Sequence, residues 1–186
     1  MVDIDNLEAE SQLTVNVGAV PQILVQPVNR TIGEYKNSSF SVSADGTEPL
    51  TYSWYRTDIP AIQGEGAEFL ISKAPAALND KVYYCIVSNI FGSDTSALCS
   101  LKVIPLPTIT AQPQDTLVIA PGAASFTVAA TGENISYQWF KNSDTLLSNT
   151  NSVTLSATAQ ADSGASFWCN VSNGAGDVPS SKAILH

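Results

Sequence analysis

Three cysteines, one histidine and seventeen carboxylates are the side chains with which this 186-residue chain could do chemistry. Cys85 and Cys169 each follow an aromatic residue, Tyr84 and Trp168, and each leads three residues later into a Ser-Asn pair. A nucleophilic thiol needs a base to activate it, and the one histidine, His186, is far from both in sequence. Both thiols are therefore expected to act as small core hydrophobes. If Gly92 centres the turn that follows Cys85, Cys99 lies opposite it, where a cross-strand disulfide would be strained. A lone histidine leaves no His-based zinc site. Asp80, Asp94, Asp144 and Asp162 are scattered and lack the alternating oxygen ligands and closing Glu of a calcium loop. They are expected to be solubilising turn residues. No Ser-His-Asp, Cys-His or paired-carboxylate set stands at recognisable spacing. No enzyme, metal or cofactor is expected.

The composition points the same way. Hydrophobic residues make up 44% of the chain and charged ones 13%, which suits packed cores and excludes a disordered chain. The net charge of −9 repels phosphate backbones, so nucleic acid is not an expected partner. The opening residues Met1–Glu10 are acidic where an export signal would be basic and then apolar. No apolar run reaches the ~18–20 residues that span a bilayer, so no membrane insertion is expected. Asn-x-Ser/Thr triplets begin at Asn29, Asn37, Asn134 and Asn170, and without an export signal no glycan is assigned to them.

The elements that must position these residues occur twice. Gln26-Pro27, Phe40–Gly46, Tyr52–Tyr55, Tyr84-Cys85, Ser88-Asn89 and Gly92 recur as Gln112-Pro113, Phe126–Gly132, Tyr137–Phe140, Trp168-Cys169, Ser172-Asn173 and Gly176, at an offset of 84–86 residues. Such self-similarity marks two homologous domains. Phe40, Val42 and Ala44, like Phe126, Val128 and Ala130, alternate with small residues, the period of a half-buried strand. Further strands are expected at 51–56, 68–71, 82–89 and 96–103, with counterparts at 136–141, 153–156, 166–172 and 181–185. Gly, Asn, Asp, Ser and Pro clusters separate them and no helical stripe appears, so the fold class is all-β, two tandem β-sandwiches.

A Trp on one strand, with an aromatic-Cys pair about thirty residues later, narrows the class. Trp54 with Cys85 and Trp139 with Cys169 resemble the immunoglobulin superfamily, in the I-set style of tandem arrays. The resemblance covers 21–186 and implies a core built on Val42, Trp54, Tyr83 and Cys85 and on Val128, Trp139, Phe167 and Cys169. Val42 and Val128 stand four residues before Gly46 and Gly132, where disulfide-bonded members carry the partner cysteine. Both inter-sheet disulfides are therefore absent, a loss of about 2–5 kcal/mol in a domain that had one. Tyr83 takes the tyrosine-corner place, and Phe167, its counterpart, lacks the hydroxyl. Trp168 points outward or inward depending on the strand phase that Asp162–Ser166 imposes.

The expected organisation is an extended N-terminal arm at 1–20, a first domain at 21–104 and a second at 105–186. Two prolines in Ile104-Pro105-Leu106-Pro107 favour a semi-rigid junction, and two sandwiches in line would form a rod of about 70–80 Å. The arm carries Ile4, Leu7, Leu13, Val15 and Val17, and its alternation over 12–17 suits a segment that anchors on a partner or frays without one. Asn134, Asn142, Asp144, Asn173 and Asp177 are the loop residues expected to be displayed at the far end. The missing disulfides and export signal together resemble phage decoration proteins of the highly immunogenic outer capsid type. That resemblance implies a non-catalytic virion protein, assembled in the host cytoplasm, docked on the major capsid or another virion protein. It implies weak adhesion to cell-surface glycans, made useful by copy number. The alternatives are a bacterial surface adhesin or cell-envelope spacer and an Ig-like component of a phage tail.

Overall fold

A computed structural model describes residues 17–146 and 148–186. The arm residues Ile4, Leu7, Leu13 and Val15 lie outside the described residues; Val17 is described and is exposed. The first domain runs β1 (Gln22–Val25), β2 (Arg30–Gly33), β3 (Ser38–Ser41), β4 (Ser43–Asp45), β5 (Thr51–Arg56), β6 (Ile59–Glu65), β7 (Glu68–Ile71), β8 (Lys81–Asn89), β9 (Gly92–Thr95) and β10 (Cys99–Ile104). The second runs β11 (Thr108–Ala111), β12 (Ala124–Thr127), β13 (Ala129–Thr131), β14 (Ser136–Lys141), β15 (Asp144–Thr145), β16 (Ser152–Leu155), β17 (Ser166–Ser172), β18 (Asp177–Pro179) and β19 (Ala183–Ile184).

One layer of the first sandwich pairs β1 with β4 and β3 with β7. The other orders β2-β10-β8-β5-β6, with β9 alongside β8. In the second sandwich β11 pairs β13 and β12 pairs β16, facing β15-β14-β17 with β18 and β19 on β17. The repeated Gln-Pro marks the place where the chain changes layer. Proline cannot donate to a ladder, so pairing with β4 ends before Pro27, and β2 resumes parallel to β10. Gln26 and Gln112 brace the crossing: their side-chain oxygens accept the N–H of Ala97 and of Ser181, each at 2.8 Å.

Each domain has its own core. Trp54 stands opposite Cys85 across β5 and β8, and Trp139 opposite Cys169 across β14 and β17. All four are fully buried, as are Val128 and Phe167, with Val42 and Tyr83 nearly so. Phe40, Phe69 and Tyr83 pack around Trp54, while Phe126 stacks on Phe167 with ring centroids 4.3 Å apart. The indole N–H groups donate to Gly66 O and Thr150 O at 3.0 Å, so neither buried Trp leaves an unpaired donor.

Three details differ from the sequence reading. The strand through Phe40–Ala44 breaks at Val42, whose N–H donates to Ala67 O across the edge. Strands β2 and β6 were not expected, because Pro27 stands shortly before the first and Pro60 within the second. The last strands, expected at 96–103 and 181–185, begin only at Cys99 and Ala183 and are preceded by the separate short strands β9 and β18, because Ser96 and Ser180 interrupt the ladder. Ser96 Oγ accepts the Cys85 N–H and Ser180 Oγ the Cys169 N–H, each at 2.9 Å, so a side chain replaces the backbone partner. This irregularity also shifts Cys99. It lies across from Tyr83 and not Cys85, since Gly92 pairs with Asn89 and does not itself centre the turn. All three cysteines are free thiols.

With Val42 and Val128 filling the space beside a thiol, Val42→Cys or Val128→Cys should close an inter-sheet disulfide under oxidation. The expected gain is about 2–5 kcal/mol, read as a rise in melting temperature that reductant abolishes. Free thiols should fall from the three of the parent protein to two. Four titratable thiols in the folded, oxidised variant would contradict the assignment.

Candidate functional site

Outside the cores, the junction between the domains combines polar contacts with a close backbone approach. Glu34, just after β2, holds it from the first domain: one carboxylate oxygen accepts the Leu106 N–H at 3.2 Å and the other the Ala76 N–H at 3.3 Å. Its own N–H donates to Ile104 O at 2.8 Å. From the second domain, the Asn173 amide donates to Pro105 O at 2.8 Å, while its oxygen accepts the Ala175 N–H at 2.8 Å. That bond ties the β17–β18 turn to the linker. Ala175 is thereby pressed onto Gly33, where a Cβ on the glycine would lie 2.5 Å from the Ala175 Cα. Only glycine fits this approach. Lys102 and Glu133 add an ion pair at 2.7 Å on the rim, and the Glu133 carboxylate raises the Lys102 pKa. Both side chains are more than 40% exposed, so the pair contributes orientation more than energy.

The five loop residues expected at one displayed end are divided between two. Strand β14 pairs Ser136 with Ser172 at one end and Lys141 with Phe167 at the other. Asn134, Asn173 and Asp177 fall at the first end, which faces the linker, and Asn173 is bound into the junction. Asn142 and Asp144 lie in the β14–β15 turn at the opposite end. Far-end display therefore fits Asn142 and Asp144 only. The direction of the strands carried this information: the β17–β18 turn must return to the end at which the domain begins.

Outward from the core, each domain stacks an aromatic pair across the equivalent strands. Tyr55 and Tyr84 have centroids 5.4 Å apart, and Phe140 and Trp168 4.2 Å apart at 9°. Phe167 and Cys169 point inward and Trp168 outward, which settles its phase. Its indole N–H donates to Asn142 O at 3.1 Å. Gln138 and Asn170, paired across the same strands, flank the Phe140–Trp168 pair. Aromatic surface bordered by amides suits contact with a partner that is part apolar and part hydroxylic.

No family model matches the chain. It is 29% identical over 130 residues to human leucine-rich repeats and immunoglobulin-like domains protein 3, across 60% of this chain and 12% of that protein. With human protein 1 of the same name it shares 28% over 144 residues, across 67% of this chain and 13% of that one. The chain thus spans about an eighth of the length of these relatives. An I-band fragment of titin superposes with a TM-score of 0.68 at 18% identity, over 90% of this chain and 65% of that one. Extracellular domains 3–5 of Drosophila OTK give 0.59 at 18%, over 89% and 61%. Both sandwiches are immunoglobulin-like. In this fold the missing disulfide leaves the thiols neutral: burial pushes Cys85 and Cys169 up to about 11 and Cys99 to about 12. In the first immunoglobulin-like domain the hydroxyl of Tyr83, expected to take the tyrosine-corner place, ends beside the Arg56 guanidinium.

Two outcomes follow from this geometry. Gly33→Val drives a side chain into Ala175 and should open the junction, changing the small-angle scattering profile while circular dichroism keeps its strand signal. An unchanged profile would show that the contact does not set the arrangement. The thiols make stability sensitive to alkali. Unfolded thiols ionise near 9.0, the folded ones only near 11 to 12, so stability is full below pH 9 and falls as pH rises through that window. Replacing Cys99 with Ala should flatten the decline in denaturant titrations from pH 8 to pH 11; an unaltered slope would refute it.

Proposed function

We propose that the chain is a non-catalytic spacer and adhesion unit displayed on a cell surface. The junction carries this reading. Its second domain commits the β17–β18 turn, with Asn173 and Ala175, to the first domain and so gives up a loop that a solitary binding module would leave free. A tandem built this way fixes the separation and direction of its modules, and what it leaves open to a ligand is the sheet face and the far end. The partner is a cell-surface glycan, held weakly against the outward face around Phe140 and Trp168 and retained through many copies. The net charge of −9 favours a neutral glycan over an acidic one. Relatives named for immunoglobulin-like domains, and a neighbour named for extracellular domains, support the surface adhesin over decoration of a virion.

The test compares the chain coated densely on beads with the same chain as a monomer, over immobilised neutral and acidic glycans. Dense beads should be retained on neutral glycans and the monomer should wash off, with retention lost in Phe140→Ala/Trp168→Ala. Beads that pass every glycan freely, or that bind equally well with both aromatics removed, would overturn the reading.

A further inference from the structure

Asn173 is the one asparagine in the chain that is followed by glycine. Its counterpart in the first domain, Asn89, is followed by Ile90. The two side chains are held alike. Each accepts the N–H of the residue two places on, Ala175 at 2.8 Å and Phe91 at 2.9 Å. Each amide donates to a carbonyl of the segment that leads into its domain, Pro105 O and Ala19 O, both at 2.8 Å. The two turns differ chiefly in the residue whose peptide lies inside that hydrogen-bonded ring.

That difference is a chemical one. The main-chain nitrogen after an asparagine can attack the side-chain amide carbon and close a five-membered imide. A bond to the N–H two residues on folds the side chain back over the intervening peptide, which turns the Asn173 amide carbon toward the Gly174 nitrogen. The same Ala175 N–H supports the negative charge that grows on the amide oxygen as the nitrogen adds. Glycine has no Cβ to obstruct this approach. Gly174 is exposed, and beyond its chain neighbours even an added Cβ would meet nothing nearer than Ile104 Cδ1 at 3.5 Å. Ile90 places a branched side chain at the same point in the first domain.

We propose that Asn173 is a self-modifying site, which deamidates through Gly174 and thereby opens the junction. The Gly174 N–H gives its proton to water or hydroxide, the bond from that nitrogen to Cγ forms, and the Cγ–Nδ2 bond breaks to release ammonia. Water then adds to either imide carbonyl and breaks its bond to the ring nitrogen, which leaves aspartate or isoaspartate. One ammonia is lost for one water gained, and nothing is oxidised or reduced. An aspartate at 173 has no N–H to donate. Its carboxylate meets Pro105 O acceptor against acceptor, so the tie between the β17–β18 turn and the linker becomes a repulsion. Isoaspartate also adds a methylene to the main chain two residues before Ala175, whose backbone lies too close to Gly33 to admit a Cβ there. Asn89 keeps its tie to Ala19. The junction therefore has a chemical lifetime, and the tandem passes irreversibly from a fixed to a hinged state.

Peptide mapping of the whole chain, incubated at neutral and at mildly alkaline pH, tests this. The peptide that holds Asn173 should gain one mass unit and divide into aspartate and isoaspartate forms, faster in alkali, with Asn89 reacting about tenfold or more slowly as the internal reference. Gly174→Ala should slow the reaction at Asn173 by a similar factor. The product carries one more negative charge than the parent, so anion exchange separates the two. Its small-angle scattering profile should depart from that of the parent and match that of Asn173→Asp, while circular dichroism keeps the strand signal. Modification of Asn173 no faster than that of Asn89, or a separated product that scatters as the parent does, would overturn the proposal.

Discussion

Each sandwich depends on a dry contact between its two sheets with no covalent bond across it. Trp54 and Cys85 centre that contact in the first domain, Trp139 and Cys169 in the second, and valine stands where a second sulfur would be. Without a cross-link the unfolded chain keeps its full entropy, so burial and hydrogen bonding alone must hold the layers. This explains why the indoles are so completely satisfied. Truncating either to alanine would cost about 3–5 kcal/mol in lost burial and the cavity left behind, and would also orphan a carbonyl at Gly66 or Thr150. The buried thiols stay protonated for the same reason, since an ionised sulfur has no compensating charge among these apolar neighbours.

The junction applies the same economy of space between domains. A glycine at 33 and an alanine at 175 let backbone approach backbone, and Glu34 and Asn173 satisfy the polar groups that this approach buries. Two semi-independent sandwiches become a unit with a defined direction, although the linker is only a few residues long. Here structure passes into function: a spacer is useful only if its modules hold their relation under thermal motion, and small close-packed contacts with satisfied polar groups resist bending better than a tether does.

Much of this was legible in the sequence. The 84–86-residue offset and the Trp-Cys spacing carried the fold, because inter-sheet packing imposes the same residue types at the same places in both copies. Valines 42 and 128 announced the absent disulfides. Three things were harder to read. Cys99 was misplaced because the serine that interrupts each last strand looks like any other serine. Strands β2 and β6 were hidden by prolines that end one pairing as another begins. Gly33 and Ala175 gave no signal at all, since a glycine after a strand reads as a turn until the residue that presses on it is known. The displayed-loop set failed at one step: polar loops were grouped by composition, when strand direction divides them between the two ends.

Backbone ¹⁵N relaxation of the whole chain is the most direct measurement of whether the junction makes one body of two sandwiches. If it does, residues of both domains fit a single anisotropic rotational diffusion tensor with the long correlation time of the full 186-residue chain. Separate tensors for 21–104 and 105–186, each tumbling at the rate of a single domain, would contradict the account.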